Sequence, residues 1–409
     1  MIGTSVLRVA CAIGILWTTC GVLHAQEPRA ALTYEDALAA ALRANPDIRL
    51  ARTVFDSSRA ELRIARAYPN PVFQANPNTP FQYNVTLPID VGPQRTFRVR
   101  AGALGARGSA ADVADAERQL GVAVAHAFAD VLLADAEFRV AAQRREGMFL
   151  LQQGDAARAR AGDISERAVT RSEIELARAD ADVARAGIDR QATRLALGAL
   201  MGMETPDTAL AVSGSLDYHP LMLDYNALVA QALRARPDLE ATRVREDQSR
   251  ALLALARSAV IPIPQLTYSR QFSGPFESGH YYALGIGFEV PLANQYSGQR
   301  DRAAAGVEAS SFVRRRLEAQ VRRDVLDAVT NLRTQGALIE RYEGGLLRKV
   351  QANVEATRYA YSKGATSLLD LMDALRTQQE VMSEYQKALH DHVVNRRVLE
   401  GRIGGPIER

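Results

Sequence analysis

The sequence predicts a mainly α-helical fold with a small β part, built as two copies of one plan. Three observations carry that expectation: long proline-free runs with helical spacing of apolar residues, a duplication spanning the chain, and short windows of strict alternation. Of the 409 residues only 6% are aromatic, a balance that suits long helices with shallow seams better than several compact cores.

The duplication sets the domain plan, with a first repeat over 26–222 and a second over 223–409. Leu32-Thr33-Tyr34 through Ala41-Leu42-Arg43-Ala44-Asn45-Pro46-Asp47-Ile48 recurs as Leu223-Asp224-Tyr225 through Ala232-Leu233-Arg234-Ala235-Arg236-Pro237-Asp238-Leu239. The register is kept as far as Pro71 and Pro262. Ahead of both repeats, residues 1–25 read as an export signal: Arg8 is the one charge, Val9 to Trp17 is largely apolar, and Leu23-His24-Ala25 offers a small residue for cleavage. Cys11 and Cys20 both fall inside it, so a processed chain has no disulfide or thiol chemistry. Cys20 is the position a lipid anchor would use, although Trp17-Thr18-Thr19 lacks the leucine and small residues such a site prefers. No later run reaches the roughly 18 apolar residues of a membrane helix. The formal charge of +3 makes no electrostatic case for nucleic acid.

Each repeat opens with a helix near 33–44 that ends before a proline, because the preceding residue is pushed out of helical geometry. A second helix follows over about 47–67. Phe81 to Leu87 then alternates apolar and polar, placing Phe81, Tyr83, Val85 and Leu87 on one face of a strand. With Val72 to Asn76 it makes a hairpin over about 71–88, joined by proline-rich Pro77-Asn78-Thr79-Pro80. The second repeat has its hairpin over about 263–291: Gln265 to Ser269, a turn near Ser273-Gly274-Pro275, and a strand whose Tyr282, Leu284, Ile286 and Phe288 face one way. Two hairpins cannot close a barrel by themselves. The pattern leaves two readings open, an outer-membrane barrel shared among subunits or a small soluble sheet packed on helices.

From Thr96 to Arg158 there is no proline, and Val113, Leu120, Ala127, Ala134 and Ala141 recur every seven residues with Val124, Val131 and Phe138 between them. That is coiled-coil spacing with small knobs, interrupted by Glu117. The second copy reads Val321, Val325, Ala328, Leu332, Ile339, Tyr342 and Leu346, interrupted by Gln335. Such a helix is a rod of roughly 90 Å. It turns at a tip near 162 (Gly162, Asp163, Ile164, Ser165) or near 364 (Gly364, Ala365, Thr366, Ser367), and returns over about 165–200 or 367–400. Gly162 and Gly364 can take the left-handed conformation that closes a helix, and Thr366 or Ser367 can cap the next one. Asp370 and Asp373 then share one face just past the second tip, whereas the first tip has Ala168 at the matching place. Heptads alone are also compatible with a periplasmic coiled-coil scaffold.

In this order, and twice over, these pieces resemble the TolC-like outer-membrane efflux family, and within it the CzcC-like cation-efflux branch. The resemblance runs from about 32 to 404 and rests on the repeated Leu-x-Tyr opening, Pro69-Asn70-Pro71, the corner Leu87 to Arg95, and the two glycine tips. It implies a homotrimer: a trimeric α/β-barrel tunnel, four membrane strands per chain in the outer-membrane lipid, and helices crossing the periplasm. It implies contact of the tips with a periplasmic membrane-fusion adaptor coupled to an RND-type inner-membrane pump. Tyr361, Gly364, Asp370 and Asp373 match the family's entrance motif, so the two aspartates would ring the narrow end, with their pKa values raised by crowding. Thr366 stands where some members carry an arginine that helps hold the entrance shut. Drug efflux and type I protein secretion are alternative duties of the same architecture.

Nothing in the sequence reads as an enzyme or as a cofactor site: there is no nucleophile motif or glycine-rich phosphate loop. A metal site is not expected either. His390 and His392 are two apart, on different helix faces, and His126, His219 and His280 are scattered.

Overall fold

The computed structural model describes residues 31–77, 81–205, 207–208, 210–272, 279 and 281–407. The expected signal segment with both cysteines, the expected turn at 273–275, most of the proline-rich 77–80 link, and His280 lie outside them. Each repeat runs helix, helix, strand, strand, long helix, return helix. The first contains α1 (Tyr34–Ala44), α2 (Pro46–Arg66), β1 (Val72–Asn76), β2 (Gln82–Pro88), α3 (Pro93–Arg160) and α4 (Glu166–Leu200). The second contains α5 (Tyr225–Ala235), α6 (Pro237–Ser258), β3 (Gln265–Gln271), β4 (Tyr281–Gly287), α7 (Ser297–Arg341), α8 (Leu347–Ser362) and α9 (Leu368–Ile403).

The X-Pro joints form as expected but are stabilised differently in the two repeats. Asn45 has ψ 130° and Arg236 has ψ 124°, both outside the helical region, and both side chains are buried. The Asn45 side chain accepts from Asp47 N and donates to the Leu200 carbonyl, each at 2.9 Å, so it caps α2 and ties it to the end of α4. Arg236 instead pairs with Asp238 at 2.6 Å and Asp324 at 3.3 Å, binding α6 to α7.

At 68 residues α3 is about 100 Å long. Leu120, Val124, Ala127, Val131, Ala134 and Ala141 are buried, as the seven-residue spacing requires, and the first four meet Ala37, Ala41 and Leu197 around one core. Small knobs let the helices approach closely. At the interruption, Glu117 pairs with Arg52 at 2.9 Å. In the second repeat Val321, Val325, Ala328, Leu332, Ile339 and Tyr342 are buried, but Leu346 is exposed. At Tyr342–Leu346 the helix kinks, Gly345 taking a non-helical φ of 139°, and the break takes Leu346 off the seam. A second correction concerns α3: it does contain a window long and apolar enough to cross a membrane by length and composition, half of it buried inside the chain. Its alanine-rich seam supplies that apolarity.

The two hairpins join into one antiparallel sheet ordered β1-β2-β3-β4. The register aligns Phe73, Val85, Tyr268 and Leu284 across all four strands, and Tyr83, Arg270 and Tyr282 across three. One face therefore carries Phe73, Ala75, Tyr83, Val85, Leu87, Leu266, Tyr268, Tyr282, Leu284 and Ile286, with Arg270 as its one charge, over the Phe272 and Tyr282 rings. The other carries Gln74, Asn76, Gln82, Asn84, Thr86, Thr267, Ser269, Gln271 and Ala283, with Val72 and Tyr281 at the two edge strands. Phe81 and Phe288 stand just outside β2 and β4. Strand β3 runs two residues beyond the expected Ser269, yet among the described residues no strand exceeds 7 residues, short of the roughly 9–11 that a membrane strand uses. Leu284 is 77% and Ile286 66% exposed, so the apolar face is not packed on the chain's own helices. That removes the reading as a small soluble sheet covered by helices.

Candidate functional site at the hairpin tips

Both tips close with the same backbone device. Gly162 (φ 83°) and Gly364 (φ 70°) take the left-handed conformation. In the first, Gly162 N donates to the Ala159 carbonyl and Asp163 N to the Arg158 carbonyl; in the second, Gly364 N donates to Tyr361 and Ala365 N to Ala360. These are paired Schellman motifs, satisfying the last carbonyls of α3 and α8. Gly162, Asp163, Ser165, Gly364, Ala365 and Ser367 are exposed, and Ile164 and Thr366 are half-buried.

The return helices differ. Ser367, rather than Thr366, is the cap of α9: its Oγ accepts from Asp370 N at 3.2 Å. Oδ2 of Asp370 accepts in return from Ser367 N at 3.0 Å, Ser367 Oγ at 2.7 Å and Thr366 Oγ1 at 2.7 Å. This is a complete capping box. Ser165 of the first tip makes no side-chain cap bond: Ala168 N donates to the Ser165 carbonyl at 2.9 Å, and Ala168 has no carboxylate to make the return bond. Within the chain the Asp370 carboxyl is held below the usual carboxylate range, first by the Ser367 hydroxyl and then by Thr366. Asp373 sits one turn on, in a cleft of about 820 Å³ between α4 and α9 that also receives Arg144, Arg171, Arg178 and Arg376.

Tyr361 does not point into open space. Its hydroxyl donates to Oδ1 of Asp155, a buried carboxylate on α3, at 2.6 Å. The Arg158 guanidinium lies 5.2 Å from the Tyr361 ring centroid. Burial, and then the bond to Asp155, push the Tyr361 phenol up to about 12. Beneath it, Gly147, Leu151 and Gly154 of α3 face Leu371 and Leu375 of α9 across a cleft of about 380 Å³. The second tip is therefore fastened to α3 close to the first. Asp155 was not singled out by the sequence; an acid on a long charged helix gives no sign of the tyrosine it meets. The same is true of His126, which the fold brings against Asp130 and His390, correcting the view that the histidines are scattered and hold no metal-ligand geometry.

An exposed apolar sheet face at one end of a long helical assembly, with two fastened tips at the other, is the fold of TolC-like outer-membrane channels. Residues 228–405 match the outer membrane efflux protein family. It is similar to the cobalt-zinc-cadmium resistance protein CzcC of Cupriavidus metallidurans, 25% identical over 359 residues that make up 86% of this chain and 85% of that protein. Among solved structures, the CmeC outer membrane channel of Campylobacter jejuni superposes with a TM-score of 0.78 at 15% identity, over 99% of this chain and 95% of the other. The open state of the MtrE outer membrane channel of Neisseria gonorrhoeae gives 0.75 at 20% identity, over 91% and 89%. The second half of the chain thus resembles outer membrane efflux proteins in sequence, and most of its length has the fold of solved outer membrane channels.

Proposed function

We propose that the chain is the exit duct of a tripartite efflux system and that its cargo is heavy-metal cations. One observation carries the duct reading: a four-stranded sheet whose apolar face is exposed, set on helices about 100 Å long. Strands β1 and β4 pair on one side only, and an open edge in lipid leaves backbone groups unsatisfied. Three copies pairing β4 to β1 would close a barrel of twelve strands, with the apolar face toward lipid and the glutamine, threonine and serine face toward the lumen. Phe73, Tyr83, Tyr268 and Tyr282 form a row across the sheet with centroids 5.9, 6.3 and 6.4 Å apart, the composition of an interfacial girdle.

At the other end, the exposed tips 162–165 and 364–367 are the surfaces offered to a periplasmic adaptor, which is itself coupled to an inner-membrane pump. Asp373, with Asp370 beside it, lines the entrance in three copies and favours cations. Tyr361 holds that entrance through Asp155. The cargo class rests on the similarity to CzcC.

The test is the susceptibility of a deletion strain to a panel of divalent metals, dyes and antibiotics, with complementation by the chain. Hypersensitivity to zinc, cobalt or cadmium alone is the expected result. Sensitivity to organic compounds instead makes this a drug-efflux duct, and no change on either panel favours protein secretion.

A further inference from the structure

We propose that His126, Asp130 and His390 form a binding site for a divalent transition-metal cation of the zinc, cobalt, nickel or copper class. His126 and Asp130 are one turn apart on α3, so they share a face, and His390 reaches them from α9. Nδ1 of His126 is 2.9 Å from Oδ2 of Asp130, and Nε2 of His390 is 2.8 Å from Oδ1. The two imidazoles stand edge to face, 5.8 Å between centroids, and the three ligand atoms lie within 4.8 Å of one another.

Metal bonds to imidazole and carboxylate are about 2.0–2.2 Å, so a tetrahedral ion needs its donors roughly 3.3 Å apart. The imidazole–carboxylate separations of 2.9 and 2.8 Å, made to different oxygens of Asp130, are a few tenths of an ångström shorter than that. The donor set as a whole spreads over up to 4.8 Å, so an ion would draw the two imidazoles together about one carboxylate oxygen. Small side-chain rotations would admit the ion in place of the N–H protons, with no movement of the helices.

A second feature points the same way. Oδ1 of Asp391 lies 3.0 Å from Nδ1 of His390. A carboxylate on the far nitrogen fixes the tautomer and turns Nε2 toward the ligand position, as metal-bound histidines require. His390 is buried, while the His126 side chain is 54% exposed, which leaves an open side for an ion to enter and for water as a fourth ligand. Two imidazoles and one carboxylate suit borderline cations rather than magnesium or calcium, which prefer all-oxygen shells. His392 takes no part: its ring packs edge-on against Tyr218, with centroids 4.9 Å apart.

Measured along α9, the site is about 33 Å from the start of that helix at Leu368, well removed from Asp370 and Asp373. Ion binding stands on this geometry alone; only its use on the way out of the cell rests on the cation-efflux reading.

The experiment uses full-length protein purified in detergent without a polyhistidine tag. Zn²⁺ is titrated by calorimetry and Co²⁺ by its visible spectrum, on the native chain and on His126→Ala, Asp130→Asn and Asp391→Asn, with helicity checked by circular dichroism. One ion per chain is expected, lost in His126→Ala and Asp130→Asn and weakened about 10–100-fold in Asp391→Asn. No Zn²⁺ binding by the native chain, or equal binding by His126→Ala, overturns the site and leaves a structural histidine–aspartate cluster only. Metal tolerance of the deletion strain is scored separately. If that strain is unaffected while the purified chain binds Zn²⁺ through these residues, cation efflux fails and the site stands.

Discussion

The hydroxyl of Tyr361 and the buried carboxylate of Asp155 meet at 2.6 Å although they are 206 residues apart in the chain. The other oxygen of Asp155, Oδ2, is buried without a hydrogen-bond partner, so the tyrosine is what compensates this acid. Tyr361→Phe should therefore loosen the second tip by about 1.5–3 kcal/mol, the usual worth of a hydrogen bond to a charged group. Faster hydrogen exchange at residues 360–366 and a higher closed-state conductance are the readouts. The lock should not titrate near neutrality. With the folded pKa raised to about 12, its contribution is complete below the unfolded value of 10.0 and is lost only as the pH rises through the folded one.

Asp370 is a capping residue first. Asp370→Ala should fray the first turn of α9, whereas Ala168→Asp should add the missing reciprocal bond at Ser165 and slow exchange at the start of α4. Because the Asp370 carboxyl is lowered from 3.8, its contribution is present above that value and fades as the pH falls through the lower folded one. Protection factors at 368–371, with the intrinsic pH dependence of exchange divided out, should therefore be unaltered at about pH 5 and fall only in stronger acid.

Asp373 is the freer of the two entrance acids. Asp373→Ala alone should remove most of the dependence of conductance on divalent cations, and adding Asp370→Ala should complete the loss. Single-channel recordings with and without Mg²⁺ decide this.

Adjacent residues on β4 test the orientation of the sheet. Leu284→Arg puts a charge on the apolar face and should cost about 2–4 kcal/mol near the bilayer midplane. Ala283→Arg, on the opposite face and equally accessible, should be tolerated. Yield of folded, detergent-extracted protein from outer membranes separates the two.

Arg236 compensates Asp238 and Asp324 at the second joint, with Arg402 also within 2.7 Å of Asp324. Arg236→Ala leaves Asp238 without its partner and Asp324 with Arg402 alone, both half-buried, and should cost about 1–3 kcal/mol, read as a lower thermal midpoint. The equivalent Asn45→Ala removes a helix cap and a bond to Leu200, and should cost nearer 1 kcal/mol.

What the sequence by itself determined are the features set by local chemistry. Proline places the joints at Asn45 and Arg236, glycine places the tips at 162 and 364, the seven-residue spacing of Leu120 to Ala141 selects the buried seam, and alternation from Phe81 to Leu87 assigns the two faces of a strand. Each depends on neighbours a few residues away, so each is legible from spacing. The tertiary structure alone decided which distant groups meet. Asp155 finds Tyr361, and His126 and Asp130 find His390, because α3 packs against α9 in a register set by the whole seam. Even Asp370 changes meaning there. Spacing made it half of an acidic pair, but the turn geometry at Gly364 and the short reach of its side chain commit one oxygen to Ser367 and leave Asp373 as the freer acid.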